Sequence, residues 1–334
     1  MRASTVELLQ APVTSARLEL EPLEVVGDDV VSGRLIEPDT GAWYRVDDGI
    51  ADLVPSEYRN SGRYEAFCRK HRLEYGPAPR GVGRKDDNTL KQIRFFSSAE
   101  AYEAEVVASP FYDVFDRVTV GNWIARTISK NLRVAEVGCG SGRQTIPLLK
   151  AGANVVAVDL SEDLLKLARR KVSSESFGDG HADFVVGTAE NLPLRDRAFD
   201  AGLIFGSLHH FSDPPTALIG IARTIKPGGR FYVMEPHNSP VRFIFDWMMR
   251  HWNLWKEEAN DDPLFTKTKL QTLLSAGGLD ARISYSTYLP PHLFYLINQR
   301  KGDWLLATTD LLFNAIPGLR RLGGVIIAEA VKHT

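Results

Sequence analysis

Apolar positions along this chain fall into two textures. From about residue 133 onward, short continuous apolar runs rich in β-branched residues alternate with amphipathic stretches. Residues 133–137, 154–158, 183–187, 200–205 and 230–235 read as strands, because runs of this length bounded by turn signals suit strands buried on both faces. Residues 145–150, 163–171 and 215–225 read as helices. The second has Ser161 as its N-cap and Leu164, Leu165, Leu167 and Ala168 on one face. Strand–helix alternation of this kind predicts a parallel, doubly wound α/β sheet with helices on both faces. Residues 1–58 differ: short apolar runs are separated by turn signals at Gly27-Asp28-Asp29, Pro38-Asp39-Thr40-Gly41 and Asp47-Asp48-Gly49, which predict a small β-rich module.

Charge alters that picture locally. The whole chain of 334 residues carries 40 Lys+Arg against 42 Asp+Glu, which excludes a globally basic DNA-binding protein. Residues 17–57, however, hold eleven acids and three bases, whereas residues 59–94 hold ten bases and four acids. These opposite runs are expected to face each other or to solvate a surface; an anionic ligand or RNA strand on the basic run is the less favoured alternative. Cys68 and Cys139 are too few for a disulfide scaffold or a four-cysteine metal site. Without a recognisable signal sequence or an apolar run of about 20 residues, the chain is expected to be cytoplasmic, with no membrane span.

The chemistry concentrates in Glu136-Val137-Gly138-Cys139-Gly140-Ser141-Gly142, which follows a strand and opens a helix. Glycines there allow a tight turn and a close approach of backbone to ligand. Asp159 ends the next strand, where a carboxylate can accept the hydroxyls of a ribose. The glycine spacing differs from the dinucleotide pattern, and Glu136 two residues ahead of Gly138 would repel a pyrophosphate. The same carboxylate suits a ligand that carries an ammonium and a sulfonium. S-adenosylmethionine has both groups and an adenosine.

With these motifs in order, residues 102–235 resemble the class I S-adenosylmethionine-dependent methyltransferases of the small-molecule, ubiquinone/menaquinone type. The resemblance implies a Rossmann-like seven-stranded sheet in the order 3-2-1-4-5-7-6, whose last two strands would be residues 279–288 and 324–332. It implies cofactor contacts from Glu136, Gly138, Gly140, Gly142, Asp159 and Leu160. Further contacts are implied from the adenine-edge segment Thr188-Ala189-Glu190 and from Phe205 and Gly206 in the loop after the fourth strand. Where the family usually has an acid before the Ala, this chain has Thr188, whose hydroxyl can meet the adenine amine. Tyr112, with Tyr102, is expected to close over the methionine end. Cys139 is expected to be a buried filler.

His209 and His210 lie in the loop where an acceptor would meet the methyl, and a neutral imidazole there can take a proton near pH 7. Glu235 and His237 are further candidates at the rim after the fifth strand. Residues 240–262 sit where the family places a lid. There Arg242, Phe245, Asp246, Trp247 and Arg250 are candidate substrate-binding residues, the aromatic ones lining an apolar acceptor pocket and the charged ones anchoring polar groups. Residues 289–322 are expected to hold a helical insertion that packs on the sheet's end or forms a homodimer contact.

Residues 8–55, through the pieces 8–14, 33–41 and 44–55, also resemble the small zinc-ribbon module often fused to such methyltransferases. Its four metal positions read Ala11, Thr14, Glu37 and Thr40 here, so no metal is expected. The expected domains are thus 1–58, a basic linker with helices at 59–100, and the methyltransferase domain at 101–334. The expected function is methyl transfer to oxygen or nitrogen of a small apolar, aromatic, sugar-bearing or lipid-linked acceptor. The alternatives are an RNA methyltransferase and a non-catalytic scaffold of the same fold. The lost cysteines and balanced charge weigh against the first alternative, and the intact glycine loop weighs against the second.

Overall fold

A computed structural model describes residues 1–82, 86–95, 103, 110–251 and 264–333. Tyr102 and the second half of the expected lid lie outside the described residues. The strands are β1 (Glu19–Val26), β2 (Asp29–Ile36), β3 (Trp43–Asp47), β4 (Ile50–Asp52), β5 (Arg133–Val137), β6 (Asn154–Asp159), β7 (His181–Val186), β8 (Phe199–Phe205), β9 (Ile225–Pro236), β10 (Leu279–Ser286) and β11 (Val325–Lys332). They form one sheet in the order β1-β2-β3-β4-β7-β6-β5-β8-β9-β11-β10.

From β7 to β10 this is the expected seven-strand order, with β11 antiparallel to both neighbours. The strands alternate their side chains between two apolar layers. Ala135, Val137, Val156 and Val158 enter one, and Val134, Val155 and Ala157 enter the other. That two-sided burial is the physical reason these strands are continuous apolar runs. Helices follow where their caps begin them: the Ser161 hydroxyl accepts from Leu164 N at the start of Glu162–Ser173, and the Asp213 carboxylate accepts from Thr216 N at the start of Pro214–Thr224.

The strand count is larger than the seven expected of the catalytic sheet. The β-rich N-terminal region continues the sheet, because β4 pairs in parallel with β7 through Ile50–Phe184, Ala51–Val185 and Asp52–Val186. Residues before β1 add further stitches. Gln10 N donates to Pro193 O at 3.0 Å, Arg195 N donates to Leu8 O at 2.9 Å, and Arg2 N donates to the buried Asp183 carboxylate at 2.8 Å. An open edge of the parallel sheet is thereby covered by the chain's own meander.

At the four zinc-ribbon positions, Ala11 is buried, and the Thr14 and Tyr44 hydroxyls both donate to the buried Glu37 carboxylate at 3.1 Å, while Thr40 N donates to Glu37 O at 3.2 Å. Among the described residues, no three or more His, Cys, Asp or Glu side chains are grouped to hold a metal ion. None of the described helices is long and apolar enough to cross a membrane.

Residues 289–322 contain a 3-10 turn at Pro291–Tyr295, a helix at Gln299–Ala315 and a second 3-10 turn at Leu319–Leu322. A helix at Arg242–His251 follows β9.

Candidate active site

The site is assembled at the C-terminal ends of β5, β6, β8 and β9. After β5 the chain turns through Gly138 at φ +73° and Gly140 at φ +53°, both in the left-handed region. The two glycines answer to different constraints. A Cβ on Gly138 would lie 2.2 Å from the Ser207 hydroxyl, so the loop after β8 touches the backbone there. A Cβ on Gly140 would meet nothing within 4 Å, which leaves room for a ligand against its backbone. The Gly140 N–H donates to one Asp159 oxygen at 2.8 Å, and the Ser161 N–H donates to the other at 2.9 Å. The Leu160 N–H also reaches this carboxylate, whose two oxygens can accept about four donors between them. Burial raises the proton affinity of Asp159, while those backbone N–H groups pull it down.

Glu136 faces inward from β5 and is buried. Its carboxylate accepts from the Thr145 hydroxyl at 2.6 Å. Burial pushes its pKa up to about 8, helped by the Asp159 charge and opposed by the Thr145 hydrogen bond and Arg143. A buried carboxylate with one hydroxyl partner gains from an incoming cation. Open backbone at Gly140, the remaining acceptor capacity of Asp159 and the cation-accepting Glu136 therefore fit a ligand with a ribose and an ammonium.

The loop after β8 supplies the other wall. Glu235, expected at the rim, is instead wholly buried at 0% exposure. The correction has a physical reason: its carboxylate accepts the backbone N–H groups of Leu208 at 2.8 Å, Ser207 at 3.2 Å and His209 at 3.3 Å, which have no other acceptor in this turn. Its second oxygen also takes His209 Nδ1 at 2.6 Å. Nδ1–H is therefore the donor, and in the neutral ring Nε2 carries the lone pair. The His210 ring lies 4.0 Å from the His209 ring, between centroids, and when protonated it would lower the proton affinity of Asp159. Ser207, which the sequence did not single out, donates its hydroxyl to Val137 O at 3.2 Å and so ties this loop to β5.

Other expected residues stand apart or are occupied. His237 is buried rather than at the rim. Its Nδ1 donates to Gly323 O at 2.7 Å, its ring packs 4.8 Å from that of Tyr285, and burial lowers its proton affinity. Thr188 is buried and its hydroxyl accepts from Asn191 N at 3.2 Å. One Glu190 oxygen accepts from Ser212 N at 2.8 Å and Asp213 N at 3.2 Å. Ala189 is buried, and Leu160 is half-buried beside Asp159. Gly142 adopts φ +80° against Ala168, and Gly206 adopts φ +64° with its N–H on Met234 O.

Tyr112 and Phe205 flank the Arg143 guanidinium at 4.2 Å and 5.0 Å, and Arg143 also pairs with Asp116 at 3.0 Å. That cationic sandwich was not visible in the sequence, because it joins residues from three separate segments. Arg242 and Asp246 bind each other at 2.7 Å rather than standing apart as separate anchors, and Trp247 packs 4.7 Å from the His251 ring. Phe245 and Arg250 lie on the same helix, and their side chains lie outside the described residues.

Residues 135–233, which run from the middle of β5 into β9, match the family model for a methyltransferase domain. The chain carries a class I S-adenosylmethionine-dependent methyltransferase domain. The demethylmenaquinone methyltransferase of Clavibacter sepedonicus is 35% identical over 112 residues, covering 34% of this chain and 44% of that one. The ubiquinone/menaquinone biosynthesis C-methyltransferase of Proteus mirabilis is 29% identical over 173 residues, 49% of this chain and 67% of that one. A ubiquinone biosynthesis O-methyltransferase of Xanthomonas oryzae pv. oryzae is 32% identical over 120 residues, 36% and 49% of the two chains. The chain thus spans about half the length of the curated relatives that it matches. The methyltransferase domain's cofactor is S-adenosylmethionine.

Proposed function

We propose that this chain transfers a methyl group from S-adenosylmethionine to an oxygen or nitrogen of a small, apolar or aromatic acceptor, sugar-bearing and lipid-linked metabolites included. The observation that carries the reading is the His209–Glu235 pair at 2.6 Å, set in the loop that also touches Gly138. Relatives whose names place them in quinone biosynthesis support an aromatic acceptor.

Bound S-adenosylmethionine supplies a methyl on a positively charged sulfur, so its leaving group needs no further activation. The protein's task is then alignment, exclusion of water and removal of the acceptor's proton. Asp159 accepts from the ribose with its remaining acceptor capacity, and Glu136 holds an ammonium. Thr188, Ala189, Glu190 and Leu160 border the adenosine, and Tyr112, Phe205 and Gly206 the methionine end. His209 accepts the acceptor's proton at Nε2. Glu235 fixes the tautomer that leaves Nε2 free and stabilises the imidazolium that results. Glu235 is a positioning residue in this scheme, and His210 and His237 shape the walls. The helix that begins at Arg242 borders the acceptor, with Trp247 and the Arg242–Asp246 pair as its contacts.

Calorimetry with S-adenosylmethionine tests the cofactor half: Asp159→Ala is expected to weaken binding at least about tenfold, the loss of one charge-assisted contact. Wild-type protein that does not bind the compound would leave the scaffold reading. Turnover on a panel of phenols, quinols and amines, with product analysis by mass spectrometry, tests the acceptor half. Methyl transfer only to RNA would overturn it.

A further inference from the structure

The helix Gln299–Ala315 has two apolar faces, and among the described residues only one of them is used by the fold. Inward, Gly302 and Leu306 are buried, with Val114 and Phe294 against the Gly302 backbone. Asn314 donates to Tyr285 O at 2.7 Å, and Phe313 packs 4.7 Å from the Tyr288 ring. Outward, Trp304 is 68% exposed and Leu311 is 73% exposed. They stand seven residues apart, so they share a face two turns apart. Leu312, Ile316 and Leu319 extend that surface, and Leu296 begins it at 82% exposure. An apolar strip of this length left in water is costly unless something covers it.

Charge decides what covers it. Arg300 and Lys301 are exposed at one end of the strip and Arg321 at the other. The acids between 299 and 321 are Asp303 and Asp310. Asp310 is half-buried, whereas the Asp303 side chain is 38% exposed and pairs with the exposed Arg117 at 2.9 Å, and the exposed Asp113 accepts from Gln299 Nε2 at 3.0 Å. In a symmetric pair of copies, this face would bring four exposed bases of each copy, Arg117, Arg300, Lys301 and Arg321, against two acids with exposed side chains, Asp113 and Asp303. An anionic bilayer surface meets both features at once, taking Trp and Leu at the headgroup boundary and Arg and Lys among the phosphates.

We propose that this face seats the protein peripherally on anionic lipid. The inference goes beyond methyl transfer and does not depend on it.

The test is co-sedimentation of the full chain with phosphatidylcholine vesicles with and without phosphatidylglycerol, read beside sedimentation velocity in the absence of lipid. The expected result is salt-sensitive binding to the phosphatidylglycerol vesicles. Trp304→Ser/Leu311→Ser is expected to cut that binding about tenfold, and Arg300→Glu/Lys301→Glu to remove the preference for the anionic lipid. All four side chains are solvent-exposed or nearly so, and unchanged circular dichroism checks that the variants fold. Failure of the wild type to bind either vesicle overturns the proposal, as does binding that the double substitutions leave unchanged. A dimer that Trp304→Ser/Leu311→Ser dissolves, without lipid binding, overturns it in favour of a contact between copies.

Discussion

At the residue scale, the site is a set of local solutions to burial. Glu235 is the acceptor for three backbone N–H groups that a tight turn leaves unpaired, and the His209 ring takes the lone pair that remains. His209→Ala is expected to lower kcat about 10²- to 10³-fold while leaving the cofactor Kd unchanged. Glu235→Gln should lose less and should alter the pH profile of kcat/KM, which separates a positioning role from simple support of the loop. Glu136 gives a second test. Its pKa is about 8 when folded against an ordinary value of 4.5, so between those values the native state keeps a proton that the unfolded chain has released. Stability without cofactor should therefore fall as pH rises through that window. Thermal melts on either side of it should show the loss in wild type and a smaller one in Glu136→Gln. The same substitution should weaken S-adenosylmethionine binding.

At the scale of elements, glycine loop and helix cap are joined by carboxylates. Asp159 binds Gly140 N and Ser161 N, so the turn after β5 and the helix Glu162–Ser173 are held by one side chain. Two glycine substitutions should separate folding from binding. Gly138→Ala adds a Cβ that collides with Ser207 at a positive φ and is expected to destabilise by about 1–3 kcal/mol in chemical denaturation. Gly140→Ala meets open space and should cost about 1 kcal/mol of backbone strain while losing more in cofactor affinity.

The helix is also clamped from the N-terminal region. The buried Arg45 pairs with Asp52 at 3.0 Å and also with Glu162, which Arg63 and Lys166 reach at 2.8 Å and 2.9 Å. Burial pushes Glu162 up, but Arg45, Arg63 and Lys166 outweigh it and hold its pKa at about 2. Removing one partner of so buried a network leaves charge uncompensated. Arg45→Met is expected to destabilise by about 3–5 kcal/mol in urea unfolding. The opposite charge runs of the sequence meet here only in part, since Arg63 from the basic stretch pairs with the catalytic domain's helix, whereas Lys70 pairs with Asp47 at 3.7 Å.

At the scale of the whole molecule, the N-terminal meander and the catalytic sheet are one β-structure. Their contact also reaches the stretch that follows the segment named for the adenine edge, because Gln10 and Leu8 bond to Pro193 and Arg195. A chain beginning at residue 59 should expose the β7 edge and the apolar residues that Leu35, Tyr44 and Leu53 now cover. It is expected to aggregate or dimerise through that edge, as size-exclusion chromatography with light scattering would show.

What the sequence determined by itself is what depends on short range. The apolar runs of β5 to β9, the positive-φ glycines, the caps at Ser161 and Asp213 and the acid at the end of β6 are each set by a few neighbouring residues and one strand or helix period. Tertiary structure decided what depends on distant partners. Nothing in the period of β4 names β7 as its neighbour, for a parallel pair between residues 50–52 and 184–186 is chosen by the packing of everything between them. Glu235 could be read as a rim residue until the turn 26 residues earlier brought its unpaired N–H groups to it. The two apolar faces of Gln299–Ala315 look alike along the chain, and only the docking of Gly302 and Leu306 shows which of them was left to face outward.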